Sequence, residues 1–406
     1  MSERTSVLLG EVMRVKHGYA FPGEGFSDEP VWPTLVTPGN FAIGGGFKAT
    51  KPKTFSGEYP DEYVLAPGDL IITMTDLSKE GATLGLPATV PNDAVYLHNQ
   101  RIGLVEVIDP SVVNLAFLHY YLRTDGYRAH ILGTATGSTV RHTSPSRIST
   151  YKADLPCLVE QRAVATVLGA LDDKIAANTR VAQTSEALLA AEFAALRLDE
   201  EPGDSRSAAT LEDVVVLNPA VPRPSEAEPV YVDMQKLPIL GSSITDWARR
   251  PAKGGARFEN GDTLLARITP CLENRKTGYV DFLDEGQVGL GSTEYVVMRA
   301  RPGVPAELPY FIATSERFRS FAIRHMSGTS GRQRVSVGSL ADFTITAPDT
   351  RTLEAFGRKS TKLFALIKSQ RDENRTLSQL RDALLPQLMS GKIRVKDAEK
   401  TAEEVL

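Results

Sequence analysis

Two polar loops carry the side chains best suited to bind a phosphate or meet a base edge. The first, GTATGSTVRHTSPSRI over 133–148, offers Ser138, Thr139, Arg141 and His142. The second, SGTSGRQRVSVGSL over 327–340, offers Ser330, Arg332 and Arg334. Small hydroxyls, backbone N–H groups near glycine and guanidinium groups are donors that phosphate oxygens accept from. Arg141 and Arg334 read as matching positions. Another pair of tips lies at Thr75-Asp76-Leu77-Ser78-Lys79-Glu80 and across 267–276, where Lys79 faces Arg267, Asn274, Arg275 and Lys276. Arg101 joins this candidate set just ahead of a strand-like run. Arginine can pair bidentately with guanine, and asparagine with adenine. The plainer alternative is a set of solvated surface loops, which vary freely.

These loops recur because the chain repeats. VLAPGDLIITMTD at 64–76 returns as RFENGDTLLARIT at 257–269, about 193 residues later. Leu115-Ala116-Phe117-Leu118 answers Leu308-Pro309-Tyr310-Phe311. Thr134-Ala135-Thr136-Gly137-Ser138 answers Gly328-Thr329-Ser330-Gly331-Arg332. A period near half the chain means two copies of a whole domain, not a solenoid. Within each copy the pattern is α+β. Residues 7–15, 62–73 and 101–108 read as strands, and 112–132 and 306–326 as short helices. Pro67-Gly68-Asp69 and Asn260-Gly261-Asp262 are tight turns that feed apolar strands.

Each copy then passes a proline, Pro156 or Pro348, into a long helix-forming stretch. Over 158–197 a seven-residue ladder runs Leu168, Ile175, Ala182, Leu189, Leu196, with a companion row Val164, Leu171, Asn178, Ser185. Over 351–389 the ladder is Phe356, Leu363, Gln370, Leu377, Leu384, with Ile367, Asn374 and Leu388 beside it. Such 3.5-residue repeats mark narrow coiled-coil seams, and the simplest partner for each helix is the other. Antiparallel pairing brings Asn178 opposite Asn374, where two amides can set register at a cost in stability. Leu385-Pro386 should weaken the second helix near its end and Ser390-Gly391 should stop it. The expected domains are 1–155, a helix over 156–200, an exposed linker at 201–209 with Pro202 and Gly203, a second domain at 210–348, a helix over 349–396 and a tail at 397–406.

Composition sets limits. The 406 residues are 42% hydrophobic and 24% charged, with formal net charge −4. The expectation is a cytoplasmic chain of two or three domains, with no apolar leader or membrane span. Cys157 and Cys271 are too few for a disulfide framework or zinc site. Residues 350–396 hold 11 Lys+Arg against 4 Asp+Glu, while 210–347 hold 16 of each and 1–155 hold 13 against 16. Bulk charge therefore gives no basic footprint. No P-loop is present, Gly44-Gly45-Gly46 lacks a strand–helix setting, and the six histidines have no metal spacing. Asn218-Pro219 is followed by Ala-Val, without the aromatic platform of an amino-methyltransferase. The chain reads as non-catalytic, with no metal.

Two further runs carry a resemblance. Leu155-Pro156-Cys157-Leu158-Val159-Glu160-Gln161 is followed by Leu168-Gly169-Ala170-Leu171-Asp172-Asp173-Lys174-Ile175 and Asn178. Near the end come Asn374, Leu377, Leu380-Arg381-Asp382, Leu384-Leu385-Pro386 and Leu388-Met389-Ser390-Gly391-Lys392-Ile393-Arg394-Val395. Together with the repeat, they resemble the specificity subunit of type I restriction-modification systems over nearly the whole chain. The second helix departs from the pattern, with Ala347-Pro348-Asp349 at its opening. The resemblance implies two target recognition domains, each reading half of a split double-stranded DNA site, and an antiparallel helix pair that sets the spacer. Two methyltransferase subunits carrying S-adenosylmethionine, and restriction subunits using ATP and Mg, would supply the chemistry; this chain would bind no cofactor. Alternatives are an adaptor of a modification-only or phage-defence system, a coiled-coil scaffold that never touches DNA, and an enzyme with an unrecognised site.

Overall fold

The structure, a computed structural model, describes residues 4–48, 53–201, 208–329, 331–347 and 349–405. Ser330, Pro348 and linker residues 202–207 lie outside these. The chain divides into two compact units. One runs up to Lys174 and resumes from Leu377; the other is Ile175–Thr376. Both dividing points fall inside the long helices.

The first unit is built on an antiparallel sheet in the order Met13–His17, Ile102–Val107, Leu70–Thr73, Pro87–Thr89. Leu70-Ile71-Ile72-Thr73 is buried at every position, because this central strand is covered on both faces. A second sheet orders Phe26–Ser27, Thr54–Phe55, Thr34–Leu35, Tyr96–Leu97 and Val64–Leu65. In it only Thr34–Leu35 and Tyr96–Leu97 run parallel.

The second unit repeats this plan. Its first sheet orders Val215–Leu217, Tyr295–Ala300, Thr263–Ala266, Thr277–Tyr279. Its second orders Ala248–Arg249, Val230–Val232, Gly289–Gly291, Ala256–Phe258, again with one parallel pair, Val230–Val232 beside Gly289–Gly291. Gly289 must be glycine, since a Cβ there would stand 2.2 Å from the Phe258 ring.

Four expected elements prove to be composites. Residues 7–15 are not one strand: Thr5–Leu8 pairs with Lys152–Leu155, then Leu9–Val12 makes one helical turn before Met13–His17. The turn forms because the Glu11 carboxylate accepts the Leu8 N–H at 2.8 Å. Asp213 does the same for Thr210 at 2.7 Å. Apolar alternation hid both caps. Residues 62–73 break at a turn held by Asp69, which accepts the Ala66 N–H at 2.8 Å. The short helices are each two, Leu115–Tyr121 with Asp125–Thr134, and Leu308–Thr314 with Glu316–Arg324.

The long helices are Leu158–Ala195, of 38 residues, and Thr350–Met389, of 40. At 1.5 Å per residue each is about 57–60 Å long. Pro386 is accommodated inside the second, and Gly391 at φ 70° follows its end. In the second unit, Asn178 Nδ2 donates to Asn374 Oδ1 at 3.0 Å and to Glu373 at 2.9 Å. Asn374 Nδ2 donates to Thr179 at 3.2 Å, and Lys359 reaches Glu192 at 2.6 Å. Numbers rise along one helix as they fall along the other, so the pairing is antiparallel. In the first unit Arg381 donates to Asp172 at 2.7 Å, joining the Asp-Asp-Lys and Leu-Arg-Asp runs. Tyr120 donates to the other Asp172 oxygen at 2.8 Å.

Gln161 is fully buried and staples the first helix to the loop before Leu115. Its amide donates to the Val112 and Pro156 carbonyls at 2.8 Å each and accepts the Asn114 N–H at 2.9 Å. The second unit reaches the same end differently. Leu353, six residues after Ala347 as Gln161 is after Leu155, is buried, and the carboxylate of Glu307 instead accepts Ser360 Oγ at 2.9 Å. Gln161→Leu should leave three backbone groups unpartnered, one buried and two half-buried, at about 1–3 kcal/mol for a buried one. We expect the full chain to lose roughly 3 kcal/mol in denaturant unfolding; a loss within about 0.5 kcal/mol, as at ordinary surface sites, would refute the staple.

Candidate nucleic-acid interface

In both units the loop after the central strand meets a hairpin that follows the short helices. In the first, Thr75 pairs with His142 and Asp76 with Arg141, while Thr136 bridges His142. In the second, Ile268 bridges Arg334, and Met326–Ser327 pairs with Arg334–Val335. The backbone frames coincide bond for bond. Met74 N–H donates to Arg101 O at 2.9 Å and Thr143 N–H to Met74 O at 3.0 Å. Arg267 N–H donates to Glu294 O, and Val335 N–H to Arg267 O, both at 3.0 Å.

This register corrects one sequence match. The counterpart of Arg334 is His142, not Arg141, because the second hairpin carries one more residue between its bridged positions. Met74, Arg101 and His142 therefore correspond to Arg267, Glu294 and Arg334. His142 Nδ1 lies 3.2 Å from Thr75 Oγ1.

In the first unit the tip over 77–84 is fastened from two sides. The Asp76 carboxylate accepts the Ser78 N–H at 2.7 Å and both the N–H and hydroxyl of Thr83. The Arg128 guanidinium donates to the carbonyls of Gly81, at 2.9 Å, Ala82 and Leu84. Arg141 Nε donates to the Lys79 carbonyl at 3.1 Å. Lys79, Arg101, Ser138 and Thr139 are exposed, and neither cation makes an ion pair among the described residues.

In the second unit Arg319 Nη2 donates to the Glu273 carbonyl at 3.0 Å, and the Thr269 N–H to Gln333 O at 3.0 Å. Arg128 and Arg319 are the same device. Each stands fourth in its short helix, after Thr124-Asp125-Gly126-Tyr127 or Ser315-Glu316-Arg317-Phe318, with a fully buried ring before it. Neither arginine stood out in the loop patterns. The signal was present: TDGYR and SERFR repeat a helix cap, an acid, an aromatic and an arginine.

The other expected residues are differently employed. Arg334 lies against Glu294, with Nε 2.9 Å from both carboxylate oxygens, and Arg267 Nε donates to the same group at 3.3 Å. Arg275 pairs with Glu316 at 2.8 Å. Lys276 Nζ donates to the Met234 carbonyl at 2.7 Å, which turns it inward toward the end of the Val230–Val232 strand in the unit's second sheet. Asn274 and Arg332 are exposed at their tips, and Arg332 has no ion pair among the described residues.

Burial pushes the Asp76 carboxyl up, but the bonds from Ser78 and Thr83 outweigh it and hold the group below the usual range. A depressed folded value means the carboxylate's stabilisation is complete above the unfolded value of about 3.9 and is lost as pH falls through the lower folded one. The Thr83 amide resonance should therefore keep its neutral-pH position until below that value. A titration midpoint at or above it would contradict the cap.

Among the described residues no group of three or more His, Cys, Asp or Glu could hold a metal, and no helix is long and apolar enough to cross a membrane. No family model matches the chain. It is 29% identical over 204 residues to the specificity subunit of the Escherichia coli type I restriction enzyme EcoEI, covering 48% of this chain and 34% of that one. Against the EcoAI specificity subunit of the same organism it is 28% identical over 153 residues, covering 37% and 26%. The matched stretches thus span about a third or less of these curated relatives. In fold it is similar to the S subunit of a type I restriction-modification system from M. genitalium, with TM-score 0.56, 14% identity and coverage of 95% and 96%.

Proposed function

From its likeness to type I specificity subunits, we propose that this chain is the DNA-recognition subunit of such a restriction-modification assembly. The observation that carries this reading is the pairing of one frame with two different tips. The two units repeat their sheets and short helices, yet the positions held by Met74, Arg101 and His142 in one are held by Arg267, Glu294 and Arg334 in the other. A split target with two unlike halves calls for such an arrangement. Lys79, Arg101, Arg141 and His142, with Ser138 and Thr139, form the first reading surface. Arg267, Asn274, Arg332 and Arg334 form the second. Arg275 and Lys276 serve more to shape it.

The long helices act as a ruler whose register the Asn178–Asn374 amides fix. Successive faces of a DNA groove recur about every 34 Å, within reach of helices this long. Methyltransferase subunits bearing S-adenosylmethionine carry out the methylation, and restriction subunits use ATP and Mg. This chain contributes position rather than chemistry, presenting a target base for partners to extrude. Expression with the methyltransferase subunits of its own system in a host lacking adenine methylation provides the test. Genome methylation mapping should reveal one split motif with a fixed spacer. Absence of any methylated or footprinted split site would refute the reading.

A further inference from the structure

We propose that Glu294 is a specificity-determining residue of the second unit, acting as a counter-charge that keeps Arg267 and Arg334 from binding phosphate indiscriminately. The inference deepens the proposed function and rests on it. Glu294 lies at the junction of three segments. Its carbonyl accepts the Arg267 N–H at 3.0 Å, and its own N–H donates to Ser292 Oγ at 3.1 Å. Its carboxylate takes Arg334 through both oxygens and Arg267 through one. The Glu294 side chain keeps 21% of its surface accessible, against 28% for Arg267 and 45% for Arg334. The cluster is therefore open to a ligand on one side.

Two guanidinium groups on one carboxylate leave one net positive charge, spread over fixed donors. Free arginines would seek phosphate oxygens, which are the same in every sequence. Held by Glu294, they present directed N–H groups, and the carboxylate itself can accept from a cytosine N4 amine. The Arg334 hydrogen bond, opposed by slight burial and aided by both positive charges, keeps Glu294 below the usual carboxylate range, so it stays ionised at neutral pH. The first unit has no such restraint on the same frame. Arg101 stands where Glu294 stands, facing Met74 and His142. One unit thus carries a cation at this point and the other an anion, which is a difference in recognition chemistry on an otherwise common scaffold.

The experiment uses the full chain assembled with its methyltransferase subunits, comparing wild type with Glu294→Gln. Each is selected on a duplex pool randomised at both half-sites, and each is titrated with salt on a duplex lacking the selected motif. Glutamine keeps the shape and removes the charge. The expected result is about a tenfold loss of discrimination at one half-site only. Binding to the unrelated duplex should become tighter and its salt dependence steeper, by about one to two phosphate contacts at roughly 0.9 each in log–log slope. A residue that only held the fold together would weaken both kinds of binding. Loss at both half-sites, weaker binding to unrelated duplex, or an unchanged salt slope would each overturn the proposal. If wild type selects no split motif, the proposed function fails instead, and the two failures are distinguishable.

Discussion

Insertion of one matched heptad into each long helix is expected to lengthen the unread spacer by about three base pairs and leave both half-sites unchanged. Seven residues add roughly 10.5 Å of helix, against about 3.4 Å per base pair. The insertion must be made in both helices. Asn178 with Asn374 and Glu192 with Lys359 in the second unit, and Asp172 with Arg381 in the first, hold the two helices in antiparallel register within each unit. A heptad added to the first helix alone, anywhere in 171–185, shifts one partner of each later pair by two turns and should abolish assembly or recognition. Methylation mapping checks both insertions. An unchanged spacer with the matched insertion would refute the ruler.

Arg128→Ala should erase reading of one half-site while sparing the other, and Arg319→Ala should do the converse. Each guanidinium is a charged donor to half-buried loop carbonyls, and bonds to charged groups are worth about 1.5–3 kcal/mol. Released, the 77–84 tip keeps its Asp76 cap but loses the side that fixes Gly81, Ala82 and Leu84. Discrimination at that half-site should fall by at least about tenfold, since a misplaced reader cannot hold bidentate geometry. Arg128→Lys should recover little, because a compact ammonium cannot serve three carbonyls in a planar fork. Equal losses at both half-sites, or none, would refute a local positioning role. Selection from a randomised duplex pool measures each case.

The sequence was legible where its signal was periodic or repeated. The heptad rows marked helical stretches over 158–197 and 351–389, where the helices Leu158–Ala195 and Thr350–Met389 lie, and they placed Asn178 opposite Asn374. The 193-residue repeat gave two α+β units and their common tips. It failed where a polar side chain overrides an apolar pattern. Glu11 turns a strand-like run into a helical cap, and Thr124 and Ser315 each divide one expected helix into two. Charge was the least legible quantity at the candidate site. Residue type marked Arg267, Arg275, Lys276 and Arg334 as donors. The partners that engage them, Glu294, Glu316 and the Met234 carbonyl, come from segments far away in sequence. Counting along the chain also aligned Arg334 with Arg141. Only hydrogen-bond register, displaced by a one-residue difference in hairpin length, identifies His142 instead.

The division of the chain has a consequence for its synthesis. The second unit is one continuous stretch, Ile175–Thr376, whereas the first is completed only by residues from Leu377 onward. Arg4, near the start, donates to the carbonyl of Met389 at 2.7 Å, and Asp172 awaits Arg381. On the ribosome domains fold as units from the N-terminus, yet here the half translated first must wait for the end of the second long helix to emerge. The half translated second can be complete before it. A stop codon shortly after Thr376 should therefore damage the earlier-made reader more than the later one, reversing the usual polarity of truncation.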